Sequence, residues 1–172
     1  LKKGLTFRNY GFFVQNRSGA RPGDPIVAAV SDPALRAHTH PAYAGYDPDF
    51  PDVERARIFI EDLQRFEQAG EMPRLITMVL PNDHTWGTAP GKLTPFASVA
   101  DNDVALGRIV EAVSKTRFWK NTAVFVLEDD AQNGPDHIDS HRSPAFVISP
   151  WTRRSTVSAQ STFYNTTSML RT

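Results

Sequence analysis

Two short, almost wholly apolar runs, 75–80 (Leu-Ile-Thr-Met-Val-Leu) and 123–127 (Ala-Val-Phe-Val-Leu), constrain this chain more than any other feature. Strands with so little polar alternation are the kind covered on both faces, as in a parallel sheet. Between them, Val99, Val104, Ile109, Val110 and Val113 recur at helical spacing, with Asn102 and Asp103 on the polar side. Strand, helix and strand in that order predict a βαβ crossover. A third run, 145–148 (Ala-Phe-Val-Ile), is bracketed by Pro144 and Pro150 and predicts a third strand. Upstream, Val53, Ala56, Ile60, Leu63 and Phe66 repeat the helical pattern, with Asp52 as cap and Gly70 as stop. The expected architecture is α/β: a mostly parallel sheet of buried strands flanked by helices near 52–69 and 97–116.

The first fifty residues are less regular. Residues 10–14 (Tyr-Gly-Phe-Phe-Val) predict a short strand and 25–30 another. Residues 31–51 interleave Pro33, Pro41, Gly45, Pro48 and Pro51 with Tyr43, Tyr46 and Phe50, which reads as an ordered Pro/aromatic-rich surface loop. His38 and His40 within it read as surface residues, and Trp86 and Trp119 as packing residues. Ser161 or Thr162 is the expected cap of a short closing helix through Phe163, Met169 and Leu170. The expected organisation is a single domain over 1–172, incomplete because no initiator methionine opens it and no stop signal closes the last helix.

Composition narrows the chemistry. Nineteen basic residues balance nineteen acidic ones, so there is no strong electrostatic footprint for nucleic acid. No run of about eighteen apolar residues is present to span a membrane. With no cysteine, thiol catalysis, disulfides, cysteine-ligated zinc and iron–sulfur clusters are excluded. Any metal must be held by carboxylate, imidazole, hydroxyl or carbonyl groups.

Ligand sites in α/β sheets lie beyond the carboxyl ends of the strands. Directly after the first run come Asn82, Asp83, His84 and Thr85. Directly after the second come Glu128, Asp129 and Asp130, then Asp136, His137, Asp139, Ser140, His141 and Arg142. Adjacent carboxylates repel, so holding Glu128, Asp129 and Asp130 together invites a cation. Oxygen and imidazole donors without sulfur suit Zn, Mn, Fe, Mg or Ca. An Asp-Asp pair alone is equally a solvated turn, and Asp83-His84 alone equally an Asx-type turn. Their joint occurrence at two strand ends favours a site.

These residues also carry a resemblance. Leu80-Pro81-Asn82-Asp83-His84-Thr85, Ala100-Asp101-Asn102-Asp103-Val104-Ala105-Leu106-Gly107, Phe118-Trp119-Lys120-Asn121-Thr122-Ala123, Glu128-Asp129-Asp130-Ala131-Gln132 and Asp139-Ser140-His141-Arg142 together resemble a bacterial phosphoesterase family. That family groups with phospholipase C and acid phosphatase type enzymes in the alkaline phosphatase superfamily. The resemblance implies an alkaline-phosphatase-like α/β fold and metal-dependent hydrolysis of a small-molecule or lipid phosphate ester. It implies Asp129, Asp130, Asp83, His84 and His141 as ligands of a divalent metal ion, and His84 and His141 as catalytic groups. Asp130 stands where the superfamily usually has histidine. His137 has no clear counterpart and fits a phosphate-binding or ligand-supporting place.

The superfamily's Ser or Thr nucleophile normally precedes the matched segment, and residues 1–73 hold no matching strand-to-helix turn. The resemblance therefore implies the C-terminal part of a longer enzyme, completed by an N-terminal part of the same protein. It also implies a periplasmic or secreted location, and a piece inactive in isolation. The main alternative is a receiver-like regulatory module. Receivers, however, carry the acidic pair after their first strand and a lysine after a late one, and here the pair is late and no lysine follows 145–149.

Overall fold

The computed structural model describes residues 4–19, 21, 24–129, 143–153, 162 and 164–171. The chain packs as two compact units, Leu1–Thr116 and Arg117–Thr172.

In the first unit, strand β1 (Phe7–Tyr10) turns sharply into β2 (Val14–Asn16), which pairs antiparallel with β3 (Val27–Val30). A one-turn helix α1 (Pro33–Arg36) and a proline-rich loop lead to helix α2 (Asp52–Ala69). Strand β4 (Leu75–Met78) then pairs parallel with β1, Phe7 opposite Leu75 and Tyr10 opposite Met78. After a 3-10 turn (Asn82–His84) the long helix α3 (Pro95–Ser114) packs against α2. The fold is mixed α/β, as the sequence pattern requires.

Its βαβ crossover is β1–α2–β4, one element earlier than the pattern suggests. The 10–14 segment is not a strand. It contains the turn itself, with Gly11 at φ 92° and Phe13 at φ 56°. A Cβ on Gly11 would sit 2.5 Å from Val79 Cγ2 and 2.9 Å from the Ala44 carbonyl, so any side chain there collides with two neighbouring segments.

Helix α2 starts after Pro51 and ends at Gly70, whose φ of 76° closes the last turn. Asp52 is not the cap. It is the first helical residue, and its buried carboxylate is used elsewhere. Helix α3 is capped by Thr94, whose Oγ1 accepts from the Ala97 N–H at 3.2 Å, with Pro95 in the first turn.

The core gathers Tyr10, Ile26, Tyr43, Ala44 and Phe50 with Ala56, Phe59 and Leu63 of α2 and Ala105, Ile109 and Val113 of α3. Tyr10 meets Tyr43 and Phe59 edge-on, each at 5.3 Å between ring centres, and stacks on His40 at 5.7 Å. His40 is thus a core residue rather than a surface one.

In the second unit a 3-10 turn (Trp119–Asn121) precedes β5 (Val124–Leu127), which pairs antiparallel with β6 (Ala145–Ile148). A short helix α4 (Thr166–Leu170) is capped by Asn165, not by Ser161 or Thr162. Its Oδ1 accepts from the Ser168 N–H at 3.1 Å.

The three apolar runs read as buried strands of one mostly parallel sheet. Instead Leu75 is 51% and Phe146 55% exposed, and Phe125, Leu127 and Val147 are also open. The described strands form three two-stranded ladders, one parallel and two antiparallel. A two-stranded ladder leaves each strand one open edge and little to cover its faces.

Candidate functional site

The carboxyl end of β4 leads directly into the Asn82–His84 turn. What fixes that turn is a buried polar network reaching α2, α3 and the 31–51 loop. Asp52 Oδ2 accepts from the Asn82 N–H at 2.9 Å and from Asn102 Nδ2 at 3.0 Å. Asn102 Nδ2 also donates to the Leu80 carbonyl at 2.7 Å. Asp101 Oδ2 accepts from the Asp52 N–H at 2.6 Å and from Asn82 Nδ2 at 2.8 Å. Two of the motif blocks, 80–85 and 100–107, are therefore stitched to each other through the start of α2.

Asp52 Oδ1 pairs with Arg55 Nη1 at 2.9 Å, and both side chains are fully buried. The Arg55 guanidinium donates to four carbonyls of the preceding loop: Ala44 at 3.2 Å, Phe50 at 2.5 Å, Gly45 at 2.6 Å and Asp47 at 3.1 Å. Burial pushes the Asp52 carboxyl above its ordinary value, while Arg55, the Asn82 N–H and Asn102 pull it back. Burial likewise lowers Arg55, opposed by Asp52. A guanidinium does not give up its proton in a protein, so the pair stays ionic.

Asn82 is 1% exposed, and its Oδ1 is buried with no hydrogen-bond partner. Just beyond, Thr85 adopts φ 58° and ψ 172°, a left-handed φ that a β-branched residue rarely takes. Strain of this kind costs on the order of 1–3 kcal/mol and gathers at functional sites. Here it is held by the Thr85 N–H donating to the Asn82 carbonyl at 3.0 Å and by the Gly87 N–H donating to Thr85 Oγ1 at 3.0 Å.

His84 is exposed, and its Nδ1 lies 3.3 Å from the Thr85 carbonyl. A carbonyl only accepts, so that bond places the ring proton on Nδ1 and leaves Nε2 of the neutral ring as an acceptor. Its ring meets Tyr46 edge-on, 5.1 Å between centres. Trp86 is partly exposed, with Lys92 Nζ 4.7 Å over its ring, so it is not a core packing residue.

Of the residues the sequence singled out, Asp83 and His84 share one turn in the first unit. Asp129 is exposed just past β5 in the second. Asp130, His137 and His141 lie outside the described residues. A divalent ion needs several donors, and among the described residues no three His, Cys, Asp or Glu side chains gather to hold one. The donor types suit such an ion, but the described donors alone do not form a centre. No helix among the described residues is long and apolar enough to cross a membrane.

The sequence reading missed Asp52, Arg55, Asn82, Asp101 and Asn102 as one network. The available signal was polar residues set inside otherwise apolar helical faces and next to a strand end. A second buried cluster was also missed: Asp62 Oδ2 accepts from the Tyr10 hydroxyl at 2.7 Å and from Arg8 Nη2 at 2.8 Å.

The model of the Phosphoesterase family matches residues 1–172. No curated protein and no solved structure matches the chain.

Proposed function

The chain belongs to the Phosphoesterase family, and on that premise we propose that it serves metal-dependent hydrolysis of a phosphate ester. The family match along the whole chain is the observation that carries this reading. The turn bearing Asp83 and His84 forms one wall of the site, since it lies beyond a strand's carboxyl end on a strained, tightly tied backbone.

His84 presents an imidazole whose Nε2, unprotonated in that tautomer, can ligate a metal ion or take a proton from an attacking hydroxyl; only the protonated ring can donate to a phosphoryl oxygen. Asp129, Asp130 and His141, with Asp83 and His84, are the residues that would hold a divalent cation. Such an ion, when bound, neutralises phosphoryl charge and favours attack at phosphorus. Residues 1–73 hold no match to the superfamily's hydroxyl nucleophile, so the 172-residue chain alone is expected to turn over little substrate.

The test is phosphate release from an aryl phosphate with added Mn, Zn, Mg or Ca, using the 172-residue chain and a longer parent. Metal-dependent turnover by the parent, lost about 100-fold or more in Asp129→Ala, is the expected result. Robust turnover by the 172-residue chain would place a nucleophile within it and overturn its expected inactivity, and turnover indifferent to metal and to Asp129→Ala would remove the metal reading.

A further inference from the structure

The Asp52–Arg55 pair touches both sides of the strand end. Through Asp52 it holds the Asn82 N–H of the turn that carries His84. Through Arg55 it holds the carbonyls of Ala44, Gly45, Asp47 and Phe50, on either side of Tyr46. Asn16 adds two more ties: its Oδ1 accepts from the Gly45 N–H at 2.8 Å, and its Nδ2 donates to the Tyr46 carbonyl at 3.3 Å. The Tyr46 backbone is thereby fixed, while its side chain remains 58% exposed with its ring against that of His84. An exposed aromatic side chain on an immobilised backbone offers a large contact surface at little entropic cost.

We propose that Tyr46 is a specificity-determining residue that favours phosphate esters of a flat, aromatic alcohol bound at His84. This rests on the reading of His84 as a site residue. A phosphoryl group at His84 places its ester oxygen and alcohol within reach of the adjoining Tyr46 ring. Aromatic groups prefer edge-on or offset contact at the spacing Tyr46 already keeps with His84. Trp86, partly exposed two residues after His84, offers a second aromatic surface on the same loop. Arg55 is the positioning residue behind this arrangement, acting through the loop carbonyls.

The experiment measures kcat/KM of the full-length protein on phenyl phosphate and on glycerol phosphate, and takes the ratio of the two. Tyr46→Ala should lower that ratio about tenfold, chiefly through KM for the aryl ester, and Tyr46→Phe should keep it near the parent's. A ratio unmoved by Tyr46→Ala, or one lost equally in Tyr46→Phe, overturns the inference. His84→Ala separates the two levels: if it leaves both esters unaffected, the placement of the site at this turn fails first and the inference falls with it. If the parent hydrolyses neither ester, the phosphoesterase reading fails. Circular dichroism of each variant checks that the fold is kept.

Discussion

Helix α2 carries two buried carboxylates ten residues apart, and their surroundings drive them in opposite directions. Asp52, at the start, is displaced upward chiefly by burial, with Arg55, Asn82 and Asn102 opposing. Asp62, near the middle, is also pushed up by burial, yet the Tyr10 hydroxyl, Arg8 and His40 together more than offset it and hold the carboxyl below its ordinary value. Asp52 shares its cost with an equally buried cation. Asp62 draws on a neutral hydroxyl and on an arginine that keeps partial access to water. Burial alone therefore does not decide the charge state, because the partners' own desolvation enters too.

The largest effect should come from separating the Asp52 pair. Asp52→Ala leaves Arg55 charged, buried and without its counterion, and should cost about 3–5 kcal/mol in urea unfolding followed by circular dichroism. Replacing both residues by apolar ones of similar volume should cost much less than the two single changes added together. A loss under about 1 kcal/mol for Asp52→Ala would mean water reaches the guanidinium.

Acid titration of stability sharpens the contrast through its sign. Asp62 has a lowered folded value, so its contribution is present above the ordinary value of 3.8 and disappears as pH falls through the folded one. Asp52 has a raised folded value, so its contribution is greatest below 3.8 and is lost as pH rises through the raised folded value. Asp62→Asn should flatten the acid limb of a stability–pH curve, whereas Asp52→Asn should steepen it. Equal slopes in the two variants would contradict the opposite displacements.

Tyr10→Phe removes one charge-assisted hydrogen bond from Asp62 while leaving Arg8, and should cost about 2 kcal/mol. It should also weaken the acid limb, because the carboxyl loses one of the groups that lower it. The smallest effect belongs to the surface: Lys92→Ala breaks an exposed pair with Asp49 and should change stability by less than about 1 kcal/mol, fading with added salt.

The fold class, both long helices and the strand before Asn82 are legible in the sequence, since apolar periodicity reports directly on which face is covered. The strand preceding Gly11 is not, because Phe7–Tyr10 alternates poorly and its neighbour Phe13 mimics a continuing strand. The buried networks are hidden for a different reason. Asp52, Arg55, Asp62 and Asn82 are residue types usually left in water. Only the three-dimensional meeting of segments tens of residues apart supplies the partners that let them be buried. The turn after the 75–80 run was legible as a strand end, but the residues that hold Asp83 and His84 in place were not.

The Asp52–Arg55 pair also implies an order of assembly. Arg55 collects carbonyls from only five to eleven residues back along the chain, so that half of the clasp closes a short loop. Asp52 must wait for Asn82 and Asn102, thirty and fifty residues ahead, and loop-closure entropy grows with that separation. In time, then, the loop around Tyr46 is gathered onto α2 first and the strand-end turn is latched last. On unfolding, the turn that carries His84 is the first to let go, and amide hydrogens at 82–85 should exchange ahead of those at 44–50.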